Sequence, residues 1–194
     1  MRAFERTFEV DDATTVLDVG GTPLNWRFVS AAPRVTLYNI NDPTPDEPLP
    51  PNLAKTTGDG RTLPFEDGSF DVCFSNSTIE HVGSRSDQER FAAEVRRVGR
   101  GVYVQTPARS FPVEPHWYGL CIHWLPRRVQ KRIARWVTLY GLVRKPGPEI
   151  VSHLVDEYRL LTFREMRRLF PDCEIRRERF AGLTKSFVAV RRPN

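Results

Sequence analysis

Short apolar, β-prone runs recur along the chain, and each of the first four is followed by glycine, asparagine or proline. Runs of this kind are typical of strands buried in a sheet. They predict strands at residues 16–19, 34–40, 70–75 and 101–106. Because an amphipathic helical pattern separates the last two runs, their order predicts βαβ units and a largely parallel sheet.

That helical pattern lies between residues 86 and 99. Ser86 and Glu89 have the spacing of a capping box, which predicts that the helix begins near Ser86. The apolar positions that follow recur with the period of a helix and define one face. They are Phe91, Val95 and Val98.

The end of the chain has a different order of elements. A helical pattern at residues 162–170 precedes two β-prone runs at residues 173–180 and 185–192. Since no helix separates these two runs, they are predicted to pair antiparallel at one edge of the sheet.

Two stretches interrupt the alternation of strands and helices. Residues 41–52 hold five prolines, which exclude a regular helix or a central strand and predict an extended loop. Residues 107–148 are rich in Trp, His, Pro and Arg. We predict a single domain over residues 1–194, in which a helical insertion at about residues 110–153 forms a lid over one edge of the sheet.

The bulk composition changes this picture little. Hydrophobic residues make up 40% of the chain and charged residues 27%, which is typical of a soluble globular protein. No apolar run approaches the ~20 residues that a membrane span needs. The first residues mix charged and aromatic side chains, which is unlike a signal peptide. A cytoplasmic location is therefore expected.

The charge balance is basic. The 29 Lys and Arg residues exceed the 24 Asp and Glu residues, and the excess lies late in the chain. It indicates a solvated basic face, an anionic partner or a membrane surface. The cysteines, Cys73, Cys121 and Cys173, are too far apart for a CxxC metal motif, so we expect reduced, buried thiols and predict no metal site.

The end of the first predicted strand carries the clearest chemistry. Residues 16–21 are VLDVGG, so Asp18 lies near the carboxyl end of a strand and Gly20 and Gly21 follow it, at the edge where open α/β sheets bind ligands. Glycine lets the backbone approach a ligand, the helix that follows offers free N–H groups, and a carboxylate suits a cation. Without the GxGxxG spacing of dinucleotide sites, the pattern favours a ligand with an amino group or a sulfonium.

Four segments, in this order, carry a family resemblance. They are VLDVGG, VTLYNIN, TTGDGRTLPFEDGSFDVCFSNSTIEHV and FAAEVRRVGRGVYVQTP. Residues 16–126 thereby resemble the class I S-adenosylmethionine-dependent methyltransferases, in particular the small type 11 group. The resemblance implies an α/β, Rossmann-like three-layer sandwich with a mostly parallel seven-stranded sheet and an antiparallel edge pair. It also implies S-adenosylmethionine as the cofactor.

The resemblance also implies cofactor-binding positions. Asp18 orients the glycine loop or bonds the cofactor ammonium, with a strand-end cap as the alternative. Gly20 and Gly21 contact the cofactor or form a plain tight turn. The family usually has DxGxGxG where this chain has DVGGTPL, and an acidic ribose-binding residue where it has Asn39. Asn39 is expected to bond the ribose, with a turn-forming role as the alternative.

Three further positions follow from the same resemblance. Asp59 is expected to accept a hydrogen bond from the adenine amino group, and the Gly60 N–H to donate to the adenine ring. The alternative for both is an ordinary Asp-Gly turn. Asn76 is expected near the transferred methyl group, and its alternative role is a helix N-cap.

Candidate proton acceptors lie in two places. His81 belongs to the IEHV stretch, and Glu114 and His116 belong to the predicted insertion. Aromatic residues with His and Glu at the ligand edge of a sheet can line a substrate pocket and remove a proton. The alternatives are a structural histidine at position 81 and a packed lid around positions 114 and 116.

Residues 127–141 predict a basic amphipathic helix. Its apolar stripe consists of Val129, Ile133, Trp136, Val137 and Tyr140. Such a helix packs its stripe on the protein, which is the preferred interpretation, or makes peripheral contact with an anionic membrane. A third interpretation is capture of a phosphate-bearing substrate.

Together these expectations define one function, transfer of a methyl group from S-adenosylmethionine to a small-molecule or lipid-linked acceptor. The reaction is an in-line displacement, which requires alignment of nucleophile, carbon and sulfur. The alternative is a non-catalytic methyltransferase-fold protein that acts in binding or interaction. Nucleic acid is not an expected partner, because the sequence has no base-handling motif such as DPPY or PCQ.

Overall fold

A computed structural model describes residues 1–42 and 48–193. Residues 43–47, in the predicted proline-rich loop, and residue 194 lie outside the described residues. The strands are β1 (Thr15–Val19), β2 (Arg34–Asn39), β3 (Leu53–Thr57), β4 (Phe70–Asn76), β5 (Gly99–Pro107), β6 (Val113–Glu114), β7 (Gly119–Leu120), β8 (Glu174–Phe180) and β9 (Leu183–Arg191). The helices are α1 (Arg2–Phe8), α2 (Pro23–Trp26), α3 (Arg85–Val98), α4 (Arg127–Val137), α5 (Leu139–Arg144), α6 (Pro148–Glu157) and α7 (Phe163–Leu169).

Seven strands form one sheet in the order β3-β2-β1-β4-β5-β9-β8. The first five are parallel, and β9 is antiparallel to both β5 and β8. The predicted sheet and its antiparallel late pair are therefore confirmed. Because β2 and β4 lie on opposite sides of β1, the strand order reverses there and opens a crevice at the carboxyl end of β1.

The side chains of the central strands alternate between two apolar layers. Leu17 and Val19 of β1 face a core that includes residues of α3 and α7. Val16 faces a second core, to which α1 contributes Phe4 and α2 contributes Trp26. A sheet covered on both faces makes three layers, as the resemblance implied.

Two details of the sequence analysis are corrected. The capping box of α3 is formed by Ser84 and Asp87 and not by Ser86 and Glu89, because the helix begins two residues earlier than expected. The edge strand β3 was not predicted from its residues. Its side chains are mostly exposed, so it lacks the apolar run that identified the buried strands.

The chain leaves the sheet after β5 and returns close to the same point. Ala108 bridges Leu161 in parallel register, and the Arg109 N–H donates to the Leu161 carbonyl at 3.0 Å. Between these points lie the β6–β7 hairpin and α4 to α6, with a separate apolar cluster that includes Trp117 and Ala134. A lid function for this segment stays a prediction. None of the described helices has the length and apolar character needed to cross a bilayer.

The three cysteines are all free thiols, but only one has the predicted environment. Cys73 is fully buried in β4, where desolvation raises the pKa of its thiol. Cys121 and Cys173 are half-buried, which corrects the expectation of three core thiols.

The N-terminal helix α1 is part of the core, and its contribution to the free energy of unfolding can be measured. Phe4 is fully buried against the rings of Trp26, Phe74 and Tyr103. We predict that Phe4→Ala lowers the free energy of unfolding by about 3–5 kcal/mol, since it leaves a cavity among these rings. Urea denaturation monitored by circular dichroism provides the measurement.

The matched control for this prediction is Phe28→Ala. Phe28 is 67% exposed, so its truncation should change the free energy of unfolding by no more than about 0.5 kcal/mol. Equal effects of the two substitutions would contradict the placement of α1 in the core.

Candidate functional site

The loop after β1 forms one wall of the candidate site. Gly20 has a left-handed φ of 81°, and its N–H donates to the Tyr38 carbonyl at 2.8 Å. A Cβ at Gly20 would overlap the Thr78 side chain, so glycine alone fits both the conformation and the space. The helix that follows, α2, is a single turn of four residues. The helix expected after the loop is therefore present, but it consists of one turn only.

Asp18 lies beneath this loop. Its carboxylate is fully buried, and Oδ2 accepts a hydrogen bond from Trp26 Nε1 at 2.8 Å. Oδ1 has no hydrogen-bond partner among the described residues. Burial raises the pKa of Asp18 to about 7. A Cβ at Gly21 would overlap the carboxylate, so Asp18 and the loop fit each other only because position 21 is glycine.

A cavity of about 480 Å³ opens above the glycine loop, and we name it the glycine-loop cleft. Its lining includes Gly20, Tyr38, Asn39, Asp59, Gly60, Arg61, Thr78 and His81. The Asn39 amide donates to the Gly21 carbonyl at 3.0 Å, which leaves the side-chain oxygen without a bond among the described residues. That oxygen is an acceptor suited to a ligand hydroxyl.

The carboxylate of Asp59 is already held by Arg61. Both oxygens accept from the guanidinium at 2.6–2.9 Å, and Oδ1 also accepts from the Arg61 backbone N–H at 2.9 Å. These bonds hold the pKa of Asp59 below its usual value. An adenine amino group at Asp59 would have to share these acceptors with Arg61. The sequence analysis did not predict a role for Arg61, because nothing in the GDGR pattern shows that the Arg61 side chain binds the Asp59 carboxylate.

A second cavity, of about 290 Å³, lies in the segment between β5 and α7, and we name it the arginine pocket. Its lining includes Arg109, Arg127 and Arg159, together with Glu114 and Tyr158. Burial lowers the pKa of Arg159, and the neighbouring charge of Arg127 lowers it further. This concentration of positive charge suits an anionic ligand. Of the two residues of the insertion that were expected to line a substrate pocket, Glu114 lies in this lining and His116 does not. The arginines were not predicted, because they are distant from one another along the chain.

A group of rings and carboxylates separates the two cavities. Glu114 is buried, with Oε1 2.6 Å from Nδ1 of His116 and Oε2 accepting from the Trp117 N–H at 2.7 Å. The His116 ring stacks on Tyr158 with centroids 4.0 Å apart and meets His81 edge-on at 4.9 Å. Because Tyr158 lines the arginine pocket and His81 lines the cleft, His116 connects them.

Glu80 adds a buried carboxylate to this group. Its Oε2 accepts from Thr106 Oγ1 at 2.8 Å, whereas Oε1 has no partner among the described residues. Burial raises the pKa of Glu80 to about 6 and lowers the pKa of His81. Donor atoms of Glu80, His81 and His116 lie within 4.8 Å of one another. The side chains of these three residues are of the types that bind divalent metals. The sequence analysis, which considered only the spacing of cysteines, did not indicate this cluster.

The predicted cofactor-binding residues fall into two sets. Those that line the cleft are Gly20, Asn39, Asp59 and Gly60. Asp18 and Gly21 lie under the loop, and Asn76 ends β4 outside the lining of both cavities. The Asp18 carboxylate lies against the loop at Gly21, but its predicted role and the roles of the other residues stay predictions.

The buried Asp18 generates a prediction about stability and pH. Because its folded-state pKa of about 7 exceeds the ordinary value of 3.8, folding favours the protonated form, and stability declines as pH rises toward neutrality. Between about pH 5 and about pH 8, the free energy of unfolding should fall by about 3 kcal/mol more in the native chain than in Asp18→Asn. Urea titrations of both proteins at the two pH values test this. Parallel pH profiles would contradict the buried, protonated carboxyl.

A family model described as a methyltransferase domain matches residues 35–101. A curated relative from Mycobacterium sp. (strain KMS), named an uncharacterized methyltransferase, is 39% identical over 92 residues, which cover 44% of this chain and 34% of the relative. The match thus spans about a third of the length of that relative.

Solved structures share the fold at low identity. A SAM-dependent methyltransferase from Methanosarcina mazei superposes with a TM-score of 0.60 at 17% identity, covering 98% of this chain and 96% of that one. Phosphoethanolamine N-methyltransferase 2 from Haemonchus contortus, in complex with S-adenosyl-L-methionine, gives 0.57 at 12% identity, covering 90% and 37%. The resemblance seen in the sequence is confirmed: the chain has the class I methyltransferase fold, with a methyltransferase-domain sequence over residues 35–101.

Proposed function

We propose that this protein transfers a methyl group from S-adenosylmethionine to an anionic small-molecule or lipid-linked acceptor. The observation that carries the proposal is the meeting of two cavities at one group of residues. The glycine-loop cleft, with Gly20 and Asp59 in a single lining, ends at His81. The arginine pocket begins at Tyr158, on the other side of the His116 ring.

The cleft has the features that an adenosyl ligand requires. Its volume of about 480 Å³ is open, and the backbone at Gly20 leaves a cradle without a Cβ. Asn39 offers an acceptor for a ribose hydroxyl, and Asp59 with the Gly60 N–H offers an acceptor and a donor for the adenine edge. Under this proposal Arg61 shares the Asp59 carboxylate with the adenine amino group.

Methyl transfer depends more on the alignment of the acceptor with the methyl group than on reactive side chains. S-adenosylmethionine supplies a methyl group made electrophilic by the positive sulfur. The protein then has to hold the acceptor in line with the carbon–sulfur bond and exclude water from the contact. We place the transfer at the junction between the two cavities, where the rings of His81 and His116 meet edge-on.

A hydroxyl acceptor also has to lose a proton, and Glu114 with His116 is arranged for this task. The buried Glu114 carboxylate binds Nδ1 of His116, which leaves Nε2 free to accept a proton. Arg109, Arg127 and Arg159 bind the anionic part of the acceptor by charge-assisted hydrogen bonds. Glu114 therefore acts as a positioning residue, and His116 as the base.

Calorimetry with S-adenosylhomocysteine tests the cofactor site. We predict micromolar binding by the native chain, abolished in Gly20→Ala because the added Cβ meets Thr78. Asn39→Ala leaves both glycines in place but removes the bond to the Gly21 carbonyl together with the acceptor offered to the ligand, so it should weaken binding about tenfold or more. Gly147→Ala is the control, since a Cβ there meets no atom within 4 Å.

Circular dichroism of each variant separates loss of binding from loss of the fold. If the folded native chain shows no heat of binding with millimolar ligand, the enzyme assignment fails. The alternative, a methyltransferase-fold protein that acts in binding or interaction, then takes its place.

Transfer of a radiolabelled methyl group from S-adenosylmethionine tests the acceptor side. The acceptors are phosphorylated and carboxylated alcohols, each paired with a neutral analogue, and we expect activity with the anionic member of a pair. Glu114→Gln and His116→Ala should each lower kcat about 10²–10⁴-fold while the affinity for S-adenosylhomocysteine stays unchanged. His153→Ala is the control, because His153 is 80% exposed.

A chelator control accompanies this assay. Base catalysis by His116 predicts that activity survives EDTA. Loss of activity with EDTA, restored by one divalent metal, would contradict the base and assign Glu80, His81 and His116 to that metal instead.

A further inference from the structure

The outer side of α4 and α5 exposes an apolar surface that the fold does not cover. Trp136 is 67% exposed and Val143 is 69% exposed, and the residues between them include further exposed apolar side chains. We call this surface the α4–α5 patch, and its members are Trp136, Val137, Leu139, Leu142 and Val143. The single helix predicted over residues 127–141 is divided at Thr138 into α4 and α5, and the predicted packing of its apolar stripe is corrected in part. Ile133 and Tyr140 pack inward, whereas Val129, Trp136 and Val137 are exposed.

The patch continues onto the β6–β7 hairpin. The Leu139 N–H lies 3.4 Å from the Tyr118 carbonyl, and Gly119 forms an antiparallel bridge with Thr138. Tyr118 and Leu120 on this hairpin are both exposed. Apolar side chains from two neighbouring elements thus form one surface, which is more than scattered single residues.

A hydrogen bond and close packing fix the positions of α4 and α5, which carry the patch. The Thr138 hydroxyl caps α5 by accepting from the Gly141 N–H at 3.0 Å, and Gly141 lies so close to α4 that a Cβ would overlap the Ala134 carbonyl. Ala134 itself is fully buried against the cluster that includes Val151 of α6. The apolar side chains are therefore presented by an ordered support.

The cations of α4 and of the end of α5 divide into two groups. Arg127 and Lys131 pair with Asp156 of α6, on the inner side of the helix. The outer cations have no ion pair among the described residues, and Arg135 instead lies over the Trp136 ring at 5.3 Å. These outer cations next to the patch are Arg128, Arg132, Arg135, Arg144 and Lys145.

We propose that the α4–α5 patch docks on the surface of an anionic lipid bilayer. Trp136 and the aliphatic side chains enter the interfacial region, and the five outer cations meet lipid phosphates. A second copy of the chain fits this surface poorly, because its patch would bring the same five positive charges against the first. This inference goes beyond methyl transfer and does not depend on it.

The docked orientation has a consequence for the arginine pocket. Arg127 and Gln130 line that pocket from the first turns of α4, whose outer face continues into the patch. A bilayer at the patch therefore lies next to the pocket that we propose for the acceptor. This orientation of the pocket, unlike the docking itself, rests on the proposed function.

Vesicle flotation of the full chain tests the docking. We expect binding to phosphatidylcholine vesicles that contain phosphatidylglycerol, and little binding to phosphatidylcholine alone. Arg132→Ser and Arg144→Ser should each weaken binding about fivefold, the loss of one cation at the surface. The double variant Trp136→Ser/Val143→Ser should weaken it by at least tenfold, since two exposed apolar anchors are removed.

Phe180→Ser is the matched control, because Phe180 is 64% exposed and follows an exposed arginine, Arg179, at the end of β8. This variant should bind vesicles like the native chain. The proposal is overturned if the native chain does not bind anionic vesicles, or if Phe180→Ser weakens vesicle binding as much as the patch variants do. It is also overturned if the patch forms a dimer and the chain does not bind lipid. Calorimetry with S-adenosylhomocysteine on the same variants should be unchanged, so failure of docking and failure of the methyltransferase proposal remain distinguishable.

Discussion

The close fit between the Gly20-Gly21 backbone and the side chains around it determines the rest of the ligand edge. Asp18 fills the space under Gly21, and Thr78 fills the space beside Gly20, so neither position accommodates a Cβ. The loop therefore lies close to the end of β1, and the cleft above the loop stays open. The same carboxylate binds Trp26, a member of the aromatic core on one face of the sheet. The buried carboxylate of Asp18 thus contacts both the loop that shapes the cleft and the aromatic core that stabilises the fold.

The second constraint is the junction between the sheet and its inserted segment. The buried Gln88 side chain donates to the carbonyls of Ile79 and Arg159 at 3.0 Å, and the Arg159 N–H donates to the Glu80 carbonyl at 2.9 Å. These bonds hold the end of α6 against the turn that carries His81. The stack of Tyr158 on His116 is a consequence, so the cleft and the arginine pocket share a wall. The methyl transfer and proton transfer that we propose at that wall would require its rings to keep this position.

The sequence was most informative where a residue is constrained by its own neighbours along the chain. The apolar runs and the glycines after β1 predicted the central sheet and the place of the cleft, because burial and tight turns leave a local pattern. The edge strand β3 leaves none, since few of its side chains are buried. Arg61 and the three pocket arginines were unpredictable for another reason. Their partners are chosen by side-chain direction and by the path of the inserted segment, which no local spacing encodes.

The two sides of α4 show how one helix can serve two surfaces. Its inner side supplies Ala134 to the apolar cluster and pairs Lys131 with Asp156, which fixes the helix on α6. An amphipathic helix fixed in this way needs no further apolar side chains for folding, yet Trp136 remains outside the core. Exposed apolar side chains cost free energy in water, and the docking that we propose would remove them from water while the neighbouring cations meet lipid phosphates. Because Arg127 lies on the same helix and lines the arginine pocket, docking of the patch would also orient that pocket toward molecules held in the bilayer.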